Sequence, residues 1–416
     1  MAGPAAAIGN PFDGPGARLT ADFEPLAATW LGFDAGHVDF TVALVAALQP
    51  HVALKMLVRG ADDEAAARRH LADAGLDAEN LRFVHDPDAP FFVRDAAVFA
   101  HDDGGRPALV DFRWSHYGWA SWCARRHARE PRLARSCGSA GPGGIEDIER
   151  RLADTLGAAV RHMPLAMEGG GVEVNGEGVL IANLELWRSR NPGLSRAAIE
   201  QELLRLPGMQ RVVWLPQGLA HDPLHRRRIV GRRVGWGTGG HTDQFVRFAD
   251  ARTVLLAWPD EADAARHPVA RLNLQRMQRN LEVLERSTDA RGRALRVLKL
   301  PLPPVVERRI FLSAAADTRH STQWSADSFP PEEGRREGDW VLQVASTSWL
   351  NFVVANGVVL LPDYLPHGAP PEQQQRVARL MAEAFPGRQL AWVDAMGANW
   401  VGGGAHCATL AEPQAA

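Results

Sequence analysis

Short apolar runs bounded by polar or glycine-rich turns alternate along this chain with longer stretches whose apolar residues recur every three or four positions. Residues 52–58 read as a buried strand, and 62–74 as a helix closed by Gly75. Residues 108–112 form a second apolar run, and 145–156 show helical spacing that stops at Gly157. The pattern at 171–181 predicts a hairpin turning at Asn175-Gly176. A helix at 195–206 and strands at 211–215, 253–258 and 295–300 follow, with a long helical pattern over 260–286 interrupted by Pro268. Strands at 341–344 and 348–361, the latter folding back at Asn356-Gly357, lead to a helix over 371–385 and a strand at 389–393. The recurring order is a strand pair, a helix, then a strand, without residue-level repetition.

This order predicts one α/β domain over 21–416, with residues 1–20 as a flexible extension. Segments near 121–144, 221–240 and 313–339, rich in Arg, Gly, Ser or Pro, read as surface insertions. No apolar run reaches the roughly 18 residues of a membrane span, and residues 350–361 are broken by Asn351, Asn356 and Gly357. Residues 1–18 lack the pattern of a signal peptide. Lys+Arg 46 against Asp+Glu 49 leaves a net charge of −3, so no general basic field draws nucleic acid or an anionic membrane. Three cysteines in 416 residues form no disulfide framework, which points to a reducing cytoplasm. A homo-oligomer is compatible with all of this.

Four stretches carry candidate chemistry. Cys407 follows Gly402-Gly403-Gly404-Ala405-His406, and the three glycines let backbone approach a ligand closely. It fits either a nucleophile or a small buried apolar side chain, whereas Cys123 and Cys137 lie among arginines and read as ordinary thiols. In Gly239-Gly240-His241-Thr242-Asp243, an extended strand would put His241 and Asp243 on one face. That suits proton transfer beside cation recognition, or a structural hydrogen bond. Glu168 precedes Gly169-Gly170-Gly171 at the mouth of the predicted hairpin. Arg94 and Asp95 interrupt the apolar run Phe91-Phe92-Val93…Ala96-Ala97-Val98, so Arg94 must meet a buried carboxylate or serve a function. Neither paired CxxC nor HExxH spacing is present, nor a G-x-S-x-G elbow or P-loop, which disfavours zinc, serine-hydrolase and phosphate chemistry. Carboxylates raise a neighbouring thiol pKa. A cysteine nucleophile among them makes sense if the substrate brings the positive charge, as a guanidinium does.

On these residues the chain resembles the agmatine deiminase and bacterial peptidylarginine deiminase family of the guanidino-group-modifying (pentein) superfamily. The resembling segments are Phe23-Glu24-Pro25 with Trp30, Val93-Arg94-Asp95, Glu168-Gly169-Gly170, Arg190-Asn191-Pro192, Val213-Trp214-Leu215-Pro216-Gln217-Gly218-Leu219, Gly240-His241-Thr242-Asp243-Gln244-Phe245, and residues 348–357 and 402–409. The resemblance implies a five-bladed α/β propeller with pseudo-fivefold symmetry, and a C–N hydrolase acting on linear amidines without metal or organic cofactor. By motif match it implies Cys407 as nucleophile, His241 as general acid/base, Asp95 and Asp243 as guanidinium clamps, and Glu168 as the carboxylate orienting histidine and substrate. Around the substrate tail the chain departs from the family. Phe92 replaces a Trp, Ala96-Ala97 a Tyr-Gly pair and Leu26 a His, while Trp114-Ser115-His116-Tyr117-Gly118-Trp119 replaces Phe-Asn-Ala-Trp-Gly-Gly. Phe92, Tyr117 and Trp119 are the candidate tail-binding residues. The expectation is a hydrolytic deiminase of a small guanidine, agmatine first. The alternatives are a peptidylarginine or specialised-metabolite deiminase, an amidinotransferase, or a binding protein on a retired scaffold.

Overall fold

The computed structural model describes residues 10–118, 147–313, 324–326, 329 and 333–416. Its fold is mixed α/β. Five times a short strand runs antiparallel to a second strand, which then pairs in parallel with a third. At least one helix lies between the second and third strands each time. The five units are Val98–His101, Pro107–Arg113 and Val160–Ala166; Glu173–Val174, Val179–Asn183 and Arg211–Leu215; Val246–Phe248, Thr253–Trp258 and Arg296–Pro301; Val353–Ala355, Val358–Pro362 and Gln389–Val393; and Thr409–Pro413, Leu26–Gly32 and Ala53–Val58. The last unit joins the two ends of the chain, and Leu81–His85 extends it in parallel.

The middle strand of a unit lies between two neighbours with a helix on one face, so both faces are buried. That is why Val179–Asn183 and Val358–Pro362 are buried along their full length and read as continuous apolar runs rather than alternating ones. The crossover helices bury single stripes, such as Val377 and Met381 of Pro371–Ala384, in a shared core with Val359 and Leu361.

A sixth, four-stranded sheet of Leu224–Val230, Arg233–Thr238, Trp340–Val344 and Glu307–Phe311 lies outside this repeat. Residues 221–240, which read as irregular, therefore hold two paired strands, and His221 and Asp222 at their start are buried. Likewise residues 10–20, expected to be flexible, pack Phe12, Ala17 and Leu19 into a core, and Arg18–Leu19 pairs with His101 and Ala100. The whole segment 121–144 and part of that near 313–339, with Cys123, Cys137 and Trp119, lie outside the described residues. Among the described residues no helix is long and apolar enough to cross a membrane.

Candidate active site

The first strand of every unit is preceded by a loop carrying one of the polar side chains picked out above, or Asn351. Asp95 comes just before Val98–His101, Glu168 before Glu173–Val174, His241 and Asp243 before Val246–Phe248, Asn351 before Val353–Ala355, and Cys407 before Thr409–Pro413. Hydrogen bonds join these loops in a closed ring. Arg94 N donates to Cys407 O at 3.1 Å, Gly170 N to Asp95 Oδ1 at 3.1 Å, and Thr242 Oγ1 to Gly170 O at 3.0 Å. Ser348 Oγ donates to Gln244 O at 2.7 Å, and His406 N to Asn351 Oδ1 at 2.9 Å, which closes the ring.

Two local expectations change. Arg94 and Asp95 stand not in a strand but in the 3-10 turn Val93–Ala96, which sends the two side chains to different neighbours. Arg94 pairs with Asp22 at 3.1 Å and Asp95 enters the site. His241 and Asp243 also leave extended geometry, since Thr242–Gln244 is a 3-10 turn. Asp222 holds the segment leading into that turn by accepting from Thr238 N, Gly240 N and His241 N at 2.6, 2.9 and 3.1 Å.

Cys407, His241, Asp95, Glu168 and Asp243 are all buried. His241 Nε2 lies 3.1 Å from Glu168 Oε2, and its Nδ1 lies 3.7 Å from Asp95 Oδ1. Glu168 is fixed from behind by Arg190, whose Nε is 2.8 and 2.9 Å from its two oxygens. Asn191 ties the same segment to Ala166, bonding its N and O at 2.8 and 2.9 Å. Cys407 Sγ accepts from Asn351 Nδ2 at 3.2 Å and faces Asp243 Oδ2 at 3.4 Å. Tyr117 donates its hydroxyl to Asp95 Oδ2 at 2.8 Å. The Phe92 ring lies where a side chain on Gly403 would stand, and it packs on Phe91.

These neighbours set the charges. Burial works against the imidazolium of His241, but Asp95, Glu168 and Asp243 outweigh it and raise its pKa to about 9. Burial lifts Asp95 to about 6, helped by Glu168 and Asp243 and opposed by His241. Burial also disfavours the Glu168 anion, yet Arg190 and His241 bring it down to about 2. The Cys407 thiol is pushed well above its ordinary range, first by burial and then by Asp243 and Asp95. His241 Nδ1 and Asp243 Oδ1 are buried with no hydrogen-bond partner among the described residues. The site thus holds three carboxylates facing His241, Arg190 and His406, a suppressed thiolate and two unpaired polar atoms.

Arg190, Asn351 and Asp222 were not singled out by their chemistry in the sequence. Asn351 had left a mark as the polar break in the apolar run 350–361, and Arg190 as part of Arg190-Asn191-Pro192. Asp222 sits in an arginine-rich stretch and left none. Gly170 is required by space, since a Cβ there would stand 2.4 Å from His241 Nδ1 and 3.1 Å from Asp95 Oδ1. Gly170→Ala is expected to displace the His241 ring and lower kcat/KM on the substrate by about 10²-fold with folding retained, since a misplacement near 1 Å can cost that much. Steady-state kinetics with circular dichroism tests it, and unchanged kcat/KM would overturn the packing argument.

The family model of Porphyromonas-type peptidyl-arginine deiminase matches residues 18–413. The agmatine deiminase of Pseudomonas aeruginosa (strain LESB58) is 29% identical over 98% of this chain and 99% of its own length. That of Stutzerimonas stutzeri (strain A1501) is 30% identical over 84% and 82%. Among solved structures, the agmatine deiminase of Enterococcus faecalis superposes with a TM-score of 0.69 at 21% identity, covering 96% of this chain and 97% of that one. A substrate-bound agmatine deiminase of C. jejuni gives 0.65 at 16%, with the same coverage. With fold, motif order and family model in agreement, the chain belongs to the Porphyromonas-type peptidyl-arginine deiminase family, enzymes that act on guanidino groups.

Proposed function

We propose that this protein is a hydrolytic deiminase of a small guanidine compound, agmatine being the first candidate, and that its five strand units are blades of a propeller closed around the site. The observation that carries the reading is the convergence of Cys407, His241, Asp95, Asp243 and Glu168 in a buried site, with Asp243 Oδ1 unpaired. A planar guanidinium offers that oxygen a donor, and its fork of N–H groups matches carboxylates on two sides. The closed ring of loop-to-loop hydrogen bonds supports the propeller.

Asp243 and Asp95 grip the guanidinium, and on Asp95 the substrate shares or replaces the bond from Tyr117. The bound cation offsets the burial and carboxylates that suppress the thiolate, so Cys407 gives up its proton to solvent as the substrate enters, and Sγ recovers a proton from the collapsing hydroxyl when the product is released. Sγ attacks the guanidinium carbon. His241, charged at neutral pH and anchored by Glu168 through Nε2, protonates the departing nitrogen from Nδ1. The carbon–nitrogen bond breaks, ammonia leaves and an amidino-thioether remains. The neutral His241 then takes a proton from water, whose oxygen displaces Sγ and yields the ureido product. Phe92 and Tyr117 are proposed to border the substrate tail.

Burial of the whole site favours a small molecule over an arginine in a folded peptide chain. Ureido-product formation is the test, measured on agmatine, free arginine, peptidyl-arginine and other small guanidines, with and without an amine acceptor. Turnover of agmatine supports the reading. Activity confined to peptidyl-arginine, or dependent on the amine, replaces it with one of the alternatives.

Asp243→Asn is expected to reduce kcat/KM by about 10²–10³-fold, the range for removing one preorganised partner of the reacting group. Near-normal kcat/KM would remove Asp243 from the clamp.

A further inference from the structure

Behind Asp243, on the side away from its unpaired Oδ1, lies a second cluster that the mechanism above does not use. His406 places Nδ1 2.9 Å from Asp243 Oδ2 and Nε2 2.6 Å from Asp22 Oδ2. Asp22 is held in turn by Arg94 Nη1 at 3.1 Å and Arg247 Nη2 at 2.8 Å. Arg247 also faces Glu173, with Nε 3.0 Å from Oε2, and donates to Phe352 O at 3.1 Å. The groups around His406 are therefore Asp243, Asp22, Arg94, Arg247, Glu173 and the adjoining Cys407. They come from the segment before Leu26–Gly32, from three of the five site loops and from the strands Glu173–Val174 and Val246–Phe248. Asp22 and Asp243 are held ionised opposite the Arg94 and Arg247 guanidiniums, while burial pushes Glu173 up to about 8 and keeps it neutral at pH 7, so buried carboxylates and guanidiniums stay paired.

An imidazole with a carboxylate oxygen against each nitrogen donates to both only when it carries a proton on each, a form that burial, Arg247 and Arg94 oppose and Asp22 favours, leaving its pKa below the ordinary value. Oδ2 of Asp243 then has a fixed, charged donor. This prevents the carboxylate from rotating or taking up the thiol proton of Cys407, 3.4 Å away. Asp243 is held below the usual carboxylate range although burial opposes this, with the His406 hydrogen bond and charge the largest opposing causes.

We propose that His406, clamped between Asp22 and Asp243, is a positioning residue that keeps Asp243 ionised and aims its Oδ1 at the cation of the substrate. Asp22, on a segment outside the five site loops, thereby governs cation recognition through His406. The inference rests on the guanidinium reading above.

The experiment compares alkylation of Cys407 by chloroacetamidine, a planar cation, with alkylation by neutral chloroacetamide. In each case Sγ displaces chloride and forms an S–C bond, so the rate ratio reads recognition of the cation rather than turnover. The wild type is expected to favour the cation strongly. His406→Asn and Asp22→Asn should each cut that preference about tenfold or more, as befits loss of a charge-assisted hydrogen bond. Both should also move the acid limb of the preference to higher pH, because Asp243 then protonates more easily. A merely structural role would slow both reagents alike and leave the limb in place, and that result overturns the inference, as does an unchanged preference. The near-isosteric Asp22→Asn keeps the test open should the His406 variant not fold. A wild type that shows no preference for the cation overturns the guanidinium reading itself, which separates the two failures.

Discussion

Cys407→Ala will bring ureido-product formation to background while the protein still binds its guanidine substrate. The substitution removes one buried sulfur atom and leaves the Asn351 side chain bonded to the backbone N–H of His406, so the loop that ends at Thr409–Pro413 keeps its main anchor. The grip on the cation belongs to Asp95 and Asp243, which the change does not touch. Binding measured by calorimetry is therefore expected within a few fold of wild type. Loss of a covalent nucleophile lowers kcat by roughly 10⁴-fold or more, because the remaining groups act on the same intermediate and have nothing left to assist. Turnover near the wild-type level would remove Cys407 from the mechanism. Loss of binding together with turnover would move the sulfur into the cation site as a structural member.

The strand and helix order was legible because it rests on local rules. Glycine closes the helix at Gly157 with φ +62°, and Asn175 with Gly176 turns the hairpin between Glu173–Val174 and Val179–Asn183. Pro268 divides the helical pattern where the structure has Glu261–Arg266 and Pro268–Glu285. What escaped depends on distant partners. The strand Leu224–Val230 carries Arg226, Arg227 and Arg228 in succession and shows no two-residue alternation. Its place in a sheet is set by Arg233–Thr238, with which it pairs along most of its length. The first strand of the closing unit comes from the opposite end of the chain, a pairing that no local pattern announces.

The candidate site was legible residue by residue, but its mode of assembly was not. Charges and glycines breaking apolar runs marked Asp95, Glu168, His241, Asp243 and Cys407, since a buried charge needs a reason. The marks did not show that Arg94 and Asp95 part company, nor that a turn rather than a strand presents His241 and Asp243. The supporting residues Asp22, Asp222, Arg190 and Asn351 act through contacts with segments far away in sequence, and their types are common on surfaces. Only the folded geometry separates them from solvated side chains.

Arg190→Met is expected to destabilise the protein by about 3–5 kcal/mol at neutral pH, because it leaves the fully buried Glu168 carboxylate without its guanidinium. In the wild type, burial raises the pKa of Glu168 but Arg190 and then His241 overcome it. The folded value is about 2 against the usual 4.5. The ionised pair therefore contributes stability above the unfolded value, and that contribution is lost as pH falls toward 2. In the variant only His241 still opposes burial, so Glu168 protonates at higher pH and escapes much of the penalty of an under-compensated buried charge. The stability gap between the two proteins, read by urea unfolding, should narrow as the solution is acidified. Adding Glu168→Gln to Arg190→Met should recover part of the loss at neutral pH, since a neutral amide needs no counter-charge. A gap independent of pH, or one below about 1 kcal/mol, would show that the pair is stabilised by packing rather than by charge. The same titration also reads the site, because a protonated Glu168 no longer supports the His241 imidazolium. Activity in the variant should accordingly fall, as the solution is acidified, by more than the unfolded fraction explains and at higher pH than in the wild type.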